Sequence, residues 1–420
     1  MKLATRIFIG LILGIVVGLI FNLAVGAETG LVKNLLTYLI SPVGDAFIRA
    51  IRMIVVPLVL ASIVVGTASL GDIRKVGRIG GKTIAFYLIT TAMAVILGLL
   101  LASVFTPGVG TTIKTEGVTY TAAKAPPFMT TILNMIPVNP VDALARADML
   151  QIIVFAILLG IAISLVGEPA KALLKVIEGL NEAMMKLTMF VMEAAPYAVF
   201  CLMTRTVTNQ GAAILMPLAK YIIIIYVGLI IHAIVVYGGI AKIFGKVSPI
   251  DFFKRVSPAM LLAYSSASSA ATLPLTIECG EKNLGIKREV CAFTLPLGAT
   301  INMDGTALYH GVSALFLAQL LGVDLSIGQM VTIVLSATLA SIGTAGVPGA
   351  GMIMLAMVLE SVGLPVSAIG IIMGVDRLID MGRTCMNVTG DLACTLAIAR
   401  GENAIDYPTT IAIHSKGRPA

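Results

Sequence analysis

The sequence predicts an all-α polytopic membrane protein, whose helices cross the bilayer several times. Of its 420 residues, 58% are hydrophobic and only 12% are charged, whereas a soluble domain carries about 25% charged residues. The mean hydropathy of +1.00 implies helices that are apolar around most of their circumference, and such helices are stable where lipid surrounds them. The net charge of +7 comes from basic residues in short clusters between apolar runs. This pattern orients helices in a membrane and argues against nucleic acid as a partner.

One spanning helix needs about 20 mostly apolar residues, and six such runs lie near residues 7–25, 46–70, 84–106, 149–167, 183–203 and 214–241. The loops at alternate ends of these runs are basic, beginning with Lys2 and Arg6 and then Arg74 and Lys75. Because basic loops stay in the cytoplasm, we expect a multi-pass protein of the cell (inner) membrane with both termini cytoplasmic. The stretch 107–148 contains Pro126, Pro127, Pro137 and Pro140, and we expect it to be mainly an outer loop.

Two later apolar runs are interrupted in their middles by small and polar residues, at 264–274 (YSSASSAATLP) and 341–351 (SIGTAGVPGAG). Each interruption would leave backbone amides and carbonyls unpaired at membrane depth, which is tolerated only inside protein or beside a watery cavity. Broken segments in corresponding positions of two halves indicate the binding site of a transporter built from inverted repeats. Charges around Glu278 and Lys287 place the first segment's ends on the cytoplasmic side, while the loop around Gly322 is not basic. We therefore expect two hairpins that enter from opposite faces.

The last helix carries a stripe of polar residues. They recur at spacings of one, three or four, which places them on one helical face, and they are Asp376, Asp380, Arg383, Thr384, Asn387 and Asp391. Ionisable groups at membrane depth cost about 2.5–3.5 kcal/mol each, so a cluster of them indicates function. A zwitterion fits this stripe, because Arg383 offers a planar fork to a carboxylate and Asp380 accepts an ammonium group. The alternative is an internal ion-pair network that only stabilises helix contacts.

Other residues bring oxygen donors that suit a small hard cation such as sodium. Asp304, Asp391 and Asn302 contribute side-chain oxygens, and unwound helix segments add backbone carbonyls. The hydroxyls of Thr90 and Thr91 either join Asp304 or bond back to their own helix, as such hydroxyls commonly do.

Four motifs occur together and in order: TLP at 272–274 after a serine-rich segment, NMDGT at 302–306, the glycine-rich run 346–351, and the stripe 380–391. With them the sequence resembles the dicarboxylate/amino acid:cation symporter family, which includes archaeal aspartate and animal glutamate transporters. The resemblance covers essentially the whole chain. It implies a homotrimer in which each protomer has eight transmembrane helices and two re-entrant helical hairpins.

The resemblance further implies a scaffold that forms the trimer and a transport domain that slides across the membrane as an elevator. Helices 1, 2, 4 and 5 would form the scaffold, and helices 3, 6, 7 and 8 with both hairpins the transport domain. The expected boundaries are 1–75 for scaffold helices 1 and 2, 76–108 for transport helix 3, 109–210 for scaffold helices 4 and 5 with the outer loop, 211–401 for the remaining transport domain, and 402–420 for a cytoplasmic tail.

Matching motif positions imply which residues hold substrate and ions. In the family pattern Arg383 binds the side-chain carboxylate of the substrate and Asp380 its α-amino group. The implied substrate residues are Ser268, Ser269, Thr306, Gly346, Val347, Asp380, Arg383, Thr384 and Asn387. The implied sodium ligands form three sets: Gly298, Asn302, Asn387 and Asp391; Thr300, Ser341, Ile342 and Thr344; and Tyr87, Thr90, Thr91, Asn302 and Asp304.

The sequence departs from the family pattern at an arginine. Archaeal aspartate transporters carry it in the first hairpin tip and animal members in the last helix, and the corresponding residues here are Ala267 and Met381. Arg377, one turn before Asp380, is the nearest replacement.

A second departure is His310, which occupies the position of a glutamate linked to proton cotransport in animal relatives and of a glutamine in archaeal ones. Histidine titrates near neutral pH. His310 is therefore either a neutral core histidine bonded to a neighbour or a site of proton coupling.

These observations predict a secondary active symporter that imports L-aspartate or L-glutamate with sodium, the sodium ions being transported and not catalytic. The alternatives of the same fold are a proton-coupled carrier and a carrier of neutral amino acids or C4-dicarboxylates. Asp380 argues against dicarboxylates, which bring no ammonium group, and Arg383 against neutral side chains, which would leave a buried cation unpaired. An intramembrane enzyme would convert its ligand and a passive channel would not accumulate it, and we expect neither.

Overall fold

The computed structural model describes residues 3–27, 29–68, 73–110, 133, 136–342 and 349–406. Within these residues the regular structure is helical apart from one isolated antiparallel bridge, between Ile286 and Ile405, so the all-α prediction is confirmed for this part of the chain. The helices are α1 (Leu3–Leu19), α2 (Gly30–Leu35), α3 (Ser41–Ala68), α4 (Ile73–Phe105), α5 (Pro140–Arg146), α6 (Met149–Val166), α7 (Lys171–Glu193), α8 (Ala195–Gln210), α9 (Leu215–His232), α10 (Gly238–Ile243), α11 (Pro249–Ser266), α12 (Ser269–Glu278), α13 (Arg288–Ile301), α14 (Asp304–Leu320), α15 (Ile327–Ser341), α16 (Ala350–Ser361) and α17 (Ile369–Gly401). Short π-helical stretches extend α1, join α2 to α3 and α9 to α10, and follow α12.

Several helical stretches are long and apolar enough to cross a bilayer. In the described part of the chain these are Thr5–Gly26, Gly30–Ala68, Ile79–Phe105 and Ala195–Ile243. The apolar helices Gln151–Val166, Ile327–Ser341 and Ala350–Ser361 are shorter. Many large apolar side chains on these helices are exposed, which is expected of surfaces that contact lipid. The structure thus supports a multi-pass membrane protein.

The apolar run expected at 183–203 is divided between two helices. Helix α7 ends at Glu193 and α8 begins at Ala195, with Pro196 in its first turn. Proline has no amide hydrogen and its ring clashes with the preceding turn, so it is favoured in the first turn of a helix and weakens or kinks a helix further along. Hydropathy alone does not register such a boundary.

Helix α1 packs closely on α8 through a stripe of glycines. A Cβ atom on Gly14 would lie 2.7 Å from the carbonyl oxygen of Phe200, and a Cβ on Gly10 would overlap the carbonyl oxygen of Pro196. Gly18 faces α8 in the same way, one turn further on. Small residues at this spacing let two helices approach closely in a membrane.

Both interrupted segments form pairs of helices. In the first pair, α11 and α12, the chain reverses at Ala267, whose φ is +51°, and Ser268 is extended. In the second pair, α15 and α16, the helices contact each other, and residues 343–348 between them are outside the described part. Helix α17 contacts α12 and α16, so both pairs lie against it.

The centre of the molecule is formed by α17, an unbroken helix of 33 residues, with α13, α14 and α9 around it. Between α13 and α14 the chain leaves the helical conformation at Asn302 and Met303. This unwound step turns polar side chains and backbone groups towards α17.

A short clasp, formed by residues 402–406, fastens the end of α17. Lys287 donates its backbone amide to the carbonyl of Ala404 at 2.9 Å, and the amide of Asp406 donates to the carbonyl of Gly285 at 2.8 Å. Lys82 of α4 bonds Glu402 at 2.6 Å. The clasp thereby joins α4 to the start of α13 and the end of α17.

Candidate functional site

The polar residues predicted from the sequence lie mainly in two buried clusters beside α17. The Asp304 cluster consists of Thr90, Thr91, His232, Tyr237, Asn302, Asp304 and Asp391. The Arg383 cluster consists of Tyr309, Asp376, Arg377, Asp380 and Arg383. Every member except Arg377 is buried.

Asp304 is held by neutral hydrogen-bond donors from two other helical segments. Thr91 of α4 donates its hydroxyl to Oδ1 at 2.7 Å, and Tyr237 donates its hydroxyl to Oδ2 at 2.7 Å. The Nε2 atom of His232 lies 3.5 Å from the same Oδ2. Of the two threonines, Thr91 thus reaches Asp304, while Thr90 bonds back to a carbonyl of its own helix at 3.1 Å.

Asn302 connects α4 to α17. It donates Nδ2 to Oδ1 of Asp391 at 3.0 Å and accepts a bond of 3.4 Å from the Thr90 hydroxyl. Gly298 lies against Asp391 so closely that a Cβ atom there would be 2.5 Å from Oδ1. Only glycine leaves room for the carboxylate at this position.

The other members of the predicted sodium sets bond mainly to backbone. The Tyr87 hydroxyl donates to a carbonyl of α13 at 2.9 Å. Thr300 and Ser341 each donate to a carbonyl three residues earlier in their own helices, at 2.9 and 2.7 Å. Ile342 is buried at the end of α15, and Thr344 is outside the described residues.

The donor set favours a hard monovalent or divalent cation over a soft one. Among the described residues no group of three His, Cys, Asp or Glu side chains converges as a transition-metal site requires. The Asp304 cluster instead brings carboxylate, amide and hydroxyl oxygens, which hard cations prefer.

Sequence reasoning missed Tyr237 and His232. Both lie where α9 passes into the π-helical stretch Ala233–Tyr237. The available signal was a histidine in the apolar run 214–241, since ionisable residues at membrane depth point to function.

Arg383 lies between two carboxylates and above an aromatic ring. Its Nη2 donates to Oδ1 of Asp380 at 2.8 Å, and its Nη1 lies 3.2 Å from Oδ1 of Asp376. The guanidinium carbon lies 4.0 Å from the centre of the Tyr309 ring, a favourable cation–π arrangement. Nε and Nη1 have no hydrogen-bond partner among the described residues. Gly351 of α16 faces Nη1, since a Cβ atom there would be 3.1 Å away.

Arg377 contacts the other oxygen of Asp380, with Nη1 at 3.4 Å from Oδ2. Its Nη2 lies 3.4 Å from the carbonyl oxygen of Ser266, at the turn of the first helical pair. The arginine therefore connects this turn to α17.

Asn387 organises the unwound step before α14. Its Oδ1 accepts a bond of 2.8 Å from the Gly305 amide, and its Nδ2 donates to the Thr306 hydroxyl at 3.4 Å. Thr384 instead bonds back to the Asp380 carbonyl of its own helix at 2.9 Å.

The two serines of the first turn have different positions. Ser268 caps α12 and accepts a bond of 3.2 Å from the Ala271 amide, while Ser269 is buried. Gly346 and Val347, expected at the second turn, are outside the described residues.

His310 bonds the second helical pair. Its Nε2 lies 2.8 Å from the carbonyl oxygen of Gly351. Because a carbonyl only accepts, Nε2 carries a hydrogen in this contact. The Nδ1 atom has no hydrogen-bond partner among the described residues.

Comparison with known proteins decides the family. The sequence matches the sodium:dicarboxylate symporter family over residues 3–401. The chain belongs to this family. Its symporter relatives include the proton/sodium-glutamate symport protein of Geobacillus stearothermophilus, which is 39% identical over 408 residues, with 95% of this chain and 94% of the relative covered.

Two further relatives carry different names. The proton/glutamate-aspartate symporter of Escherichia coli (strain K12) is 39% identical over 425 residues, which cover 98% of this chain and 95% of the relative. The C4-dicarboxylate transport protein of Bacillus subtilis (strain 168) is 32% identical over 394 residues, which cover 92% and 93%. Members similar to this chain thus differ in the substrate and ion that their names give.

Proposed function

We propose that this protein is a secondary active symporter that imports L-aspartate or L-glutamate together with sodium. The observation that carries the proposal is Arg383, a buried guanidinium whose Nε and Nη1 have no hydrogen-bond partner among the described residues. An arginine fork binds a carboxylate through two parallel hydrogen bonds. Asp380, next to it, accepts the ammonium group of an amino acid. Relatives named as glutamate and glutamate-aspartate symporters support this assignment.

Two other substrate classes compete with acidic amino acids. The C4-dicarboxylate relative makes a dicarboxylate the first alternative, but such a substrate leaves Asp380 without a cation. A neutral amino acid leaves Arg383 with no substrate carboxylate beyond the α-carboxylate. Competition of labelled aspartate by succinate and by serine distinguishes the three classes.

Sodium is the proposed coupling ion because the Asp304 cluster collects oxygen donors at an unwound helix step. The substrate residues and sodium ligands predicted from the sequence are retained in this proposal, including those that lie outside the described residues. The proton in the relatives' names makes proton coupling, alone or beside sodium, the main alternative.

The organisation proposed for transport is the one that the family resemblance implies. Each protomer of a homotrimer would have eight spans and two re-entrant hairpins, with scaffold and transport domain divided as predicted and both termini in the cytoplasm. The two helical pairs that lie against α17 support the hairpins, and the clasp supports a transport domain that moves as one body.

Uptake of labelled L-aspartate into proteoliposomes tests the proposal. We expect accumulation with an inward sodium gradient and none in its absence. Arg383→Ala should abolish uptake. Arg205→Ala, which removes an ion pair of 2.8 Å with Asp45 elsewhere, should retain it. Accumulation driven by a proton gradient alone would refute sodium coupling, and chemically altered aspartate would indicate an enzyme.

A further inference from the structure

Asp376 is a second carboxylate on Arg383 that substrate binding as proposed does not use. Its side chain is only 5% exposed, and its Oδ1 lies 3.2 Å from Nη1 of Arg383. Neither atom of this pair has a hydrogen-bond partner among the described residues. The pair is therefore held by charge without hydrogen-bond geometry, whereas Asp380 has a true hydrogen bond to the same guanidinium.

The groups that face Asp376 come from three helices. From its own helix α17 they are Arg377, Asp380 and Arg383. Helix α14 contributes Tyr309, whose hydroxyl lies beside the Asp376 carboxyl and whose ring lies under Arg383. Helix α9 contributes Tyr221, whose hydroxyl bonds Ser313 at 2.8 Å. Apart from the two arginines, no cation faces Asp376 among these groups.

Binding of an acidic amino acid changes the charge balance of the Arg383 cluster. Before it binds, Asp376 and Asp380 balance Arg377 and Arg383. The amino acid adds two carboxylates and one ammonium group, so the Arg383 cluster gains one net negative charge, and the sodium ligands of the proposed function are other residues, outside this cluster. Asp380 then has both the ammonium group and Arg377 as partners. Asp376 has its ion pair with Arg383, which it must share with the substrate side-chain carboxylate, while Arg377, which also faces it, contacts Asp380.

An uncompensated charge in a buried site is strongly unfavourable. Binding of one proton neutralises this charge. We infer that Asp376 binds a proton when the acidic amino acid binds, and that it is the proton-carrying residue of this symporter. The inference rests on the proposed function. One proton from water adds to a carboxylate oxygen of Asp376 and gives a neutral carboxylic acid, and Arg383 is left to balance the substrate carboxylate.

The neighbouring tyrosine fits a carboxylic acid at this position. The Tyr309 hydroxyl lies beside the Asp376 carboxyl, and its oxygen is able to accept a bond from the protonated Asp376, just as its hydrogen is able to donate to the ionised form. His310 is less suited, because a second ring hydrogen would lie on Nδ1, for which the described residues provide no acceptor.

Proton uptake by the purified full-length protein tests this inference directly. L-aspartate is added at saturating sodium in weakly buffered solution that contains a pH indicator dye, and affinity is measured across pH. For the parent protein we expect uptake of about one proton per bound aspartate and an affinity that weakens up to about tenfold per pH unit as the pH rises, as linkage requires. Asp376→Asn should abolish the proton uptake and make the affinity independent of pH.

Two variants serve as controls. His310→Gln and the exposed loop variant Asp324→Asn should keep the proton uptake of the parent. If Asp376→Asn does not fold, Asp376→Glu carries the test, because moving the carboxyl by one methylene shifts the pH midpoint of binding only if this carboxyl binds the proton.

Three results would overturn the inference: aspartate binding without proton uptake in the parent, unchanged proton uptake in Asp376→Asn, or loss of it in His310→Gln. Absence of aspartate binding to the parent would instead refute the proposed function, and the inference with it.

Discussion

The Asp304 cluster and the Arg383 cluster lie on the same central helix, but their charges are satisfied in opposite ways. Each oxygen of Asp304 accepts a neutral hydroxyl at 2.7 Å. Arg383 has one hydrogen bond of 2.8 Å to Asp380 and a longer ion pair with Asp376, and two of its nitrogen atoms have no hydrogen-bond partner among the described residues. Hydrogen bonds from fixed neutral donors hold a carboxylate in place, while an incompletely bonded cation is able to accept a further anion. The first cluster is therefore preorganised, and the second retains hydrogen-bond donors for a further anion.

The largest effect should come from Arg383→Ala. This change leaves Asp376 and Asp380 buried without their shared cation, and the loss of one partner of a buried pair costs about 3–5 kcal/mol. We therefore expect a large fall in the thermal unfolding midpoint of the detergent-solubilised protein. Arg205→Ala, which breaks a partly exposed pair, should cost about 0–1 kcal/mol. Equal midpoints for the two variants would contradict the burial argument.

Asp304→Ala should have the next largest effect. It leaves the hydroxyls of Thr91 and Tyr237 without their acceptor, and each buried unpaired group costs about 1–3 kcal/mol. The same variant should weaken the dependence of uptake on sodium concentration, which proteoliposome transport measures. A variant with normal stability but altered sodium dependence would show that the cluster is less preorganised than its hydrogen bonds indicate.

Tyr237→Phe is a smaller change within the Asp304 cluster. The bond from Tyr237 reaches a carboxylate, and bonds to charged groups contribute about 1.5–3 kcal/mol against about 0.5–1.5 kcal/mol for neutral ones. Tyr221→Phe is the matched control, because its buried hydroxyl bonds the neutral Ser313. Chemical or thermal unfolding should show the larger loss for Tyr237→Phe. The reverse order would contradict a stronger bond at Asp304 than at Ser313.

Arg377→Gln should have the smallest effect on stability. Its contact with Asp380 is 3.4 Å long and its side chain is 20% exposed, so the pair is weaker than the buried 2.8 Å pair of Arg383 with the same carboxylate. Aspartate affinity is the better readout, because removal of Arg377 leaves the Arg383 cluster with one more negative charge, to which the amino acid adds another. We expect binding to weaken. Tighter binding would show that Arg377 mainly competes with the ammonium group for Asp380.

Much of the fold followed from hydropathy and from the two interruptions. Apolar runs predicted the helices because every lipid-exposed backbone group must be bonded within its own segment. The division of the run 183–203 was missed, since Pro196 is itself compatible with an apolar run. The stripe from Asp376 to Asp391 was predictable because its spacing lies within one helix.

Contacts between helices were not predictable in the same way. Tyr237 and Asp304 are 67 residues apart and Thr91 and Asp304 are 213 apart, and no spacing rule fixes the rotation of α9 or α4 against α14. The sequence suggested Arg377 as a replacement for the missing hairpin arginine. For the same reason it did not predict the contact of Arg377 with the Ser266 carbonyl.

The clasp at the end of α17 has a consequence for the order of biosynthesis. Lys82 and Glu402 are separated by 320 residues, so the helix that carries Lys82 enters the membrane long before its partner is synthesised. The backbone groups of Gly285 and Lys287 also have no partner until then, because they bond Asp406 and Ala404. Closure of this end of the bundle is thus a late step of maturation, completed only after translation has passed residue 406.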